Sequence, residues 1–137
     1  MFQKILVAVD GSPLSEKAVK AASSIAKPAS KVTLMHVVIN PPIPYTEGYL
    51  EVERQLRTYG EEILNRSKEL AKSLGVDAET RVEVGDIAEE ILRIADAENY
   101  DLVIVGSRGL SRVKSFLIGS VSSRVARYST RSVLIIR

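Results

Sequence analysis

Short apolar runs alternate with segments of helical periodicity from one end of the chain to the other. Five runs predict β-strands: Lys4–Asp10, Lys31–Val38, Ala78–Gly85, Asp101–Val105 and Ser132–Arg137. Runs that are apolar throughout are typical of strands buried on both faces of a parallel sheet. The third run alternates in part, with only Val82 and Val84 predicted to point inward. We therefore expect the third strand to lie nearest an edge.

Capping residues indicate where the four intervening helices begin and end. Ser12 and Pro13 suit the N-cap and the first position of the first helix, and Asp86 suits the N-cap of the third. Gly75 suits the position after the second helix. That helix is predicted to present one apolar face, formed by Leu56, Tyr59, Ile63, Leu70 and Leu74.

The order of elements, β-α-β-α-β-α-β-α-β, predicts an α/β fold. Alternation of this kind implies a five-stranded parallel, doubly wound sheet with helices on both faces, and we expect the strand order 3-2-1-4-5. With 137 residues, the chain is expected to form one domain spanning residues 1–137. In this order the winding reverses between the first and fourth strands, so a ligand is expected at their carboxyl ends.

A glycine-punctuated loop joins the fourth strand to the fourth helix. Gly106, Gly109, Gly119 and Ser120 lie at fixed offsets in this loop. Backbone amides that glycine leaves accessible at a helix start favour phosphate, and Ser120 and Ser122 would add hydroxyl donors. Each glycine alone could be a plain turn residue and Ser120 a plain cap, but the complete spacing favours a phosphate site. The loop is neither a Walker A motif nor a dinucleotide fingerprint.

Three residues near the predicted ligand site each allow two interpretations. Asp10 could accept hydrogen bonds from an adenine amino group or a ribose hydroxyl, or could form an Asx-turn that caps the first helix. Val37 could touch a ligand ring or simply pack in the core. For His36, the only histidine, a buried ring with a backbone partner is favoured over catalysis.

Composition and charge narrow the choice of partners. The formal net charge of +2 is too small to indicate nucleic acid binding. No acidic residue follows Arg108, and we expect Arg108 to neutralise a bound phosphate, with Arg112 and Lys114 as alternatives. The N-terminal apolar run is too short for a signal or a membrane span, so a cytoplasmic protein without membrane association is expected.

Recognisable catalytic machinery is missing from the sequence. There is no cysteine, no G-x-S-x-G motif and no cluster of metal ligands. Hydrolysis of a bound nucleotide would depend on magnesium and a positioned water, and it is expected to be slow.

The glycine loop and several other segments of the chain resemble the universal stress protein family. The signature G-x2-G-x9-G-[ST] of its nucleotide-binding branch is matched by Gly106, Gly109, Gly119 and Ser120. The opening KILVAVDGSPLSEKAV, the LMHVV of the second strand and the closing SVLIIR are also similar to the family's other characteristic segments. The resemblance extends over essentially the whole chain.

The resemblance implies a flavodoxin-like or Rossmann-like domain that binds ATP, AMP or ADP. Magnesium or manganese would bridge the phosphates, with no dedicated protein ligand. Carried over by position, the residues that would line the adenine, ribose and phosphate sites are Ala8, Val9, Asp10, Val37, Val105, Gly106, Arg108, Gly109, Gly119, Ser120, Val121 and Ser122.

The family also implies a homodimer formed through the last strand. A separate physical argument agrees, because Ser132–Arg137 is an apolar strand at a sheet edge, and uncovered edges invite pairing. A monomer whose fourth helix or loops shield that edge is the alternative.

Three functions are compatible with these features. The first is a nucleotide-binding module in stress response or signalling, with at most slow ATP hydrolysis, and this is the function we expect. The second is an adenine-nucleotide enzyme, either an ATP hydrolase or an adenylate-transferring protein, but those enzymes usually carry S-G-G-x-D-S where this chain has DGSPLS. The third is an interaction protein with a vestigial site, against which the intact signature argues.

The Pro41–Gly48 loop could contact a partner or cover the nucleotide.

Overall fold

The structure of the chain, a computed structural model, describes residues 2–41, 43–45, 47–108 and 119–137. Strands and helices alternate along these residues. In chain order they are β1 (Lys4–Ala8), α1 (Pro13–Ile25), β2 (Lys31–Val38), α2 (Glu47–Ser73), β3 (Glu79–Val84), α3 (Ile87–Ala97), β4 (Leu102–Gly106), α4 (Ser120–Tyr128) and β5 (Ser132–Ile136).

The strands form one parallel sheet in the order β3-β2-β1-β4-β5. Val7 at the centre of the sheet lies opposite Leu34 of β2 on one side and Ile104 of β4 on the other. The predicted fold class and strand order are confirmed, and so is the edge position of β3. The winding reverses between β1 and β4, as expected.

Two hydrophobic cores lie on the two faces of the sheet. Side chains that alternate along each strand divide between them, so that Ile5 and Val7 join one core while Leu6 joins the other. The first core is completed by α1 and α2, for example by Ile63, and the second by α3 and α4, for example by Ile91. Burial on both faces explains why β1, β2 and β4 read as largely continuous apolar runs.

The predicted starts of two helices are confirmed. The Ser12 hydroxyl accepts a hydrogen bond from the backbone N–H of Ser15 at 3.2 Å, and Pro13 occupies the first helical position. The Asp86 carboxylate accepts from the backbone N–H of Glu89 at 2.9 Å. These side chains satisfy amides that have no partner within the helix, and they fix where α1 and α3 begin.

The predicted apolar face of α2 is correct only in part. Ile63 is buried and Leu70 is partly buried against the same core. Tyr59 and Leu74, by contrast, are each 46% exposed. Helical periodicity identifies an apolar face, but it does not show which residues of that face are covered by the sheet. Tyr59, near the middle of α2, and Leu74, just after its end, therefore keep the helical spacing and remain exposed.

Candidate functional site

A cavity of about 430 Å³ lies at the carboxyl ends of β1, β2 and β4. This is the position at which doubly wound sheets bind ligands. It is lined by strand ends, by the first turns of α1, α3 and α4, and by part of α2. The lining residues are Ala8, Val9, Asp10, Ser12, Ser15, Met35, His36, Val37, Val38, Ile39, Leu56, Tyr59, Ile87, Val105, Gly106, Arg108, Ser120 and Val121.

The turn between β1 and α1 positions Asp10 at the cavity. Its Oδ1 atom accepts a hydrogen bond from the backbone N–H of Ser12 at 2.9 Å, which is an Asx-turn. Gly11, between them, has φ +84°, a conformation that favours glycine. Asp10 therefore forms the Asx-turn that was one of its two predicted roles. Because the turn uses one carboxylate oxygen and Asp10 also lines the cavity, a ligand could still be bound by the other.

The two ends of the glycine loop are joined by main-chain hydrogen bonding. The N–H of Gly119 donates to the carbonyl of Ser107 at 2.5 Å, and the N–H of Ser107 donates to the carbonyl of Ile136 at 2.7 Å. Gly119 is the N-cap of α4. The start of α4 is thereby held against the end of β4, at the side of the cavity opposite Val37. Gly109, Arg112 and Lys114 lie outside the described residues.

Two glycines allow close approach in this region. A Cβ atom on Gly106 would lie 3.0 Å from Cβ of Leu14, and one on Gly119 would lie 2.9 Å from the carbonyl oxygen of Ser107. Neither has a positive φ. Glycine is therefore needed at both positions because it has no side chain, and a side chain at either one would push the loop away from its neighbours.

The first turn of α4 lies at the cavity. Ser120 and Val121 line it, and N–H groups at the start of a helix have no acceptor within that helix. Ser122 lies behind them and is only 1% exposed. Its hydroxyl donates to the carbonyl of Ser107 at 2.9 Å, with the carbonyl of Gly119 at 3.1 Å. The side chain of Ser122 thus stabilises the loop, while its N–H belongs to the same helix terminus.

The opposite end of the cavity is apolar. Val37 is almost buried yet lines the cavity, and Val38 and Ile39 continue the wall beyond it. His36 also lines the cavity, and its Nδ1 atom lies 2.9 Å from the carbonyl oxygen of Val9. The histidine therefore has the backbone partner favoured from the sequence, and it joins β2 to the end of β1. Apolar walls with few polar groups suit a planar organic ring.

The structure brings most of the predicted site residues together. Nine of them line the cavity: Ala8, Val9, Asp10, Val37, Val105, Gly106, Arg108, Ser120 and Val121. Gly119 and Ser122 lie directly behind this surface, in the hydrogen bonding of the loop. Sequence reasoning missed the contributions from α2, which are Leu56 and Tyr59. The apolar spacing of α2 includes both residues and predicts a shared face, but it does not predict that this part of the face lines the cavity.

The described residues contain no group of three or more histidine, cysteine or carboxylate side chains arranged to hold a metal ion. Within the same residues, no helix combines the length and the apolar character needed to cross a membrane.

Comparison with known proteins gives matches along the whole chain. Residues 1–137 match the universal stress protein family. The universal stress protein YxiE of Bacillus subtilis strain 168 is 39% identical over 148 residues, which cover all of both chains.

Solved structures agree with this relationship. The protein MJ0577 superposes with a TM-score of 0.90 at 31% identity, covering 99% of this chain and 96% of that one. A universal stress protein in complex with cAMP superposes with a TM-score of 0.74 at 32% identity, covering 99% and 97% respectively.

Proposed function

The chain belongs to the universal stress protein family, and we propose that it binds an adenine nucleotide, with ATP as the preferred ligand. The cavity between β1 and β4 would hold it. One observation carries the proposal: apolar side chains and a helix N-terminus line opposite ends of one cavity, at the switch point of the sheet.

The α4 end of the cavity suits phosphates. The amides of Ser120 and Val121 and the positive end of the helix dipole favour negative charge there. Arg108 lines the same end and carries a full positive charge. We assign Gly109 to this subsite by its position in the glycine spacing, and Gly106 and Gly119 give the loop the space it needs. Magnesium or manganese would bridge the phosphate oxygens.

The other end suits adenine and ribose. Ala8, Val9, Val37 and Val105 supply apolar surface at the strand ends, and apolar side chains of this kind pack against a planar base. Asp10 would accept a hydrogen bond from a ribose hydroxyl with the carboxylate oxygen that its turn does not use. The relative bound to cAMP, at 32% identity, supports an adenine nucleotide as the ligand class.

Binding without rapid turnover is the mode of action we favour. In the described residues His36 is held by the carbonyl of Val9, and the cavity lining contains a single carboxylate, that of Asp10. A general base with a partner acid is therefore not assembled there. The protein would act in the cytoplasm as a stress-response or signalling module whose state depends on the bound nucleotide. An adenine-nucleotide enzyme that uses the same cavity is the alternative.

Titration calorimetry with ATP, ADP, AMP and GTP, each with and without magnesium, tests this function. We expect saturable binding of the adenine nucleotides and markedly weaker binding of GTP. Absence of adenine-nucleotide binding would overturn the proposal. Phosphate release measured on the same samples distinguishes a nucleotide-binding module from an enzyme. Several turnovers per second would favour the enzyme.

A homodimer through β5 is part of the proposal. At the opposite edge of the sheet, Arg81 of β3 forms ion pairs with Glu83 at 2.7 Å and with Glu98, and such charges discourage strand pairing. The edge strand β5 instead carries apolar side chains, Val133 to Ile136, that stay partly exposed. We expect light scattering to give about twice the monomer mass of 15.0 kDa. A monomer mass at micromolar concentration would contradict this.

A further inference from the structure

Helix α2 is much longer than the strand it packs on. Its 27 residues span about 40 Å, whereas the eight residues of β2 span about 26 Å. Gly60 lies against His36, since a Cβ atom on Gly60 would lie 2.5 Å from Cδ2 of that ring. His36 is two residues from the end of β2. Most of the helix before Gly60 therefore rises beyond the carboxyl end of the sheet, on the side where the cavity lies.

The turn of α2 that ends at Gly60 presents apolar side chains to the cavity. Leu56, three residues before Tyr59 and four before Gly60, shares a face of the helix with each of them, and Leu56 and Tyr59 both line the cavity. Tyr59 keeps 46% of its surface exposed, and Ile39, beyond the end of β2, keeps 51%. Together, Leu56, Tyr59 and Ile39 form an apolar wall that the core does not cover.

Packing within the protein does not account for the position of Tyr59. A core residue would be buried, as Ile63 is one turn further along the same helix. Tyr49, also on α2, is buried and has an aromatic neighbour, with its ring centroid 4.4 Å from that of Tyr45. Large apolar surface that stays exposed inside a concave site is characteristic of ligand contact.

We infer that Tyr59, supported by Leu56, packs against the nucleobase and makes α2 one wall of the base subsite. The inference rests on the proposed function and adds a residue to it. A planar aromatic base would cover the exposed ring of Tyr59, and a ligand without a base would leave it in water. The site would therefore contact the base through α2 and the phosphates through α4.

A tryptophan reporter tests the contact without removing the ring. The chain contains no tryptophan, so Tyr59→Trp introduces a single emitter at this wall. We expect AMP and ATP to change its emission strongly and by similar amounts, because both carry the same base. Tyr128→Trp is the matched control, since Tyr128 is 62% exposed and does not line the cavity. Emission from Tyr59→Trp that is unchanged at saturating nucleotide would overturn the inference.

Affinity measurements provide the second readout. Stacking of a base on an aromatic side chain predicts that Tyr59→Ala weakens binding about tenfold or more, by the same factor for AMP and ATP. Tyr59→Phe keeps the ring and should bind within about twofold of the unmodified protein, as should Tyr128→Ala. Unmodified protein that binds no adenine nucleotide would refute the proposed function itself. Binding that survives Tyr59→Ala would refute only the role of Tyr59.

Discussion

The backbone N–H of Gly119 lies 2.5 Å from the carbonyl oxygen of Ser107, so a main-chain hydrogen bond joins the end of β4 to the start of α4. The hydroxyl of Ser122 donates to the same carbonyl at 2.9 Å. These two bonds set the position of the α4 N-terminus relative to the sheet. The amides proposed to bind phosphate are therefore held in place before a ligand arrives, which lowers the entropic cost of binding.

Replacing Gly119 by alanine should weaken nucleotide binding through steric conflict. The φ of −63° is open to any residue, but the new Cβ atom would lie 2.9 Å from the carbonyl oxygen of Ser107. Because backbone must move to relieve this contact, we expect the affinity for ATP to fall at least about tenfold, measured by calorimetry.

Gly75→Ala is the matched control for that substitution. Gly75 has φ +87° and no atom within 4 Å of an added Cβ, so alanine there is strained without being crowded. We expect a loss of about 1 kcal/mol in the free energy of unfolding and an ATP affinity within about twofold. Equal affinity losses for the two variants would show that the Gly119 contact has no specific role in the site.

Two serines of α4 should give opposite results when each is changed to alanine. Ser122 is buried and its hydroxyl is bonded to the loop backbone, so Ser122→Ala should lower the free energy of unfolding by about 1 kcal/mol and leave ATP affinity within about threefold. Ser120 is exposed at the cavity, so Ser120→Ala should weaken ATP binding and change stability little. Urea unfolding and calorimetry on both variants provide the comparison. A large affinity loss for Ser122→Ala at unchanged stability would mean that its hydroxyl reaches the phosphates.

The fold could be predicted because the strand signals are strong. Burial on both faces makes the strand runs apolar throughout, and the polar alternation of β3 correctly indicated an edge. Caps such as Ser12 and Asp86 have a single local function that the sequence shows directly. Strand patterns and helix caps depend on residues that are close together in the chain, so a sequence pattern is enough to predict them.

The site was predicted less completely because it depends on distant contacts. The sequence left two roles open for Asp10, and the structure shows that one oxygen serves the turn while the residue also lines the cavity. Periodicity places Tyr59 on the apolar face of α2, but it contains no information on whether that part of the face meets the core or the cavity. The contact between Gly60 and His36 gave no signal at all, because a glycine within a helical pattern does not identify its neighbour.

Gly60→Ala should destabilise the protein even though alanine is the better helix former. The propensity gain is about 1 kcal/mol, but the added Cβ would lie 2.5 Å from Cδ2 of His36, whose ring is held by the carbonyl of Val9. We expect a net loss of about 1–3 kcal/mol in the free energy of unfolding, measured with urea.

A double-mutant cycle isolates the Gly60 contact. In a His36→Ala background the ring is absent, so Gly60→Ala should become neutral or stabilising. An equal cost in both backgrounds would show that the clash is not with His36. The packing of α2 on β2 would then need a different explanation.

The two roles of Asp10 can be separated by comparing asparagine with alanine at this position. Asparagine keeps a side-chain oxygen for the N–H of Ser12, so Asp10→Asn should unfold with a free energy within about 0.5 kcal/mol of the unmodified protein. Its amide group replaces a charged acceptor with a donor, so ATP affinity should fall about tenfold. Asp10→Ala should lose that affinity and about 1 kcal/mol of stability as well. If Asp10→Asn binds ATP as tightly as the unmodified protein does, the carboxylate serves only the turn between β1 and α1.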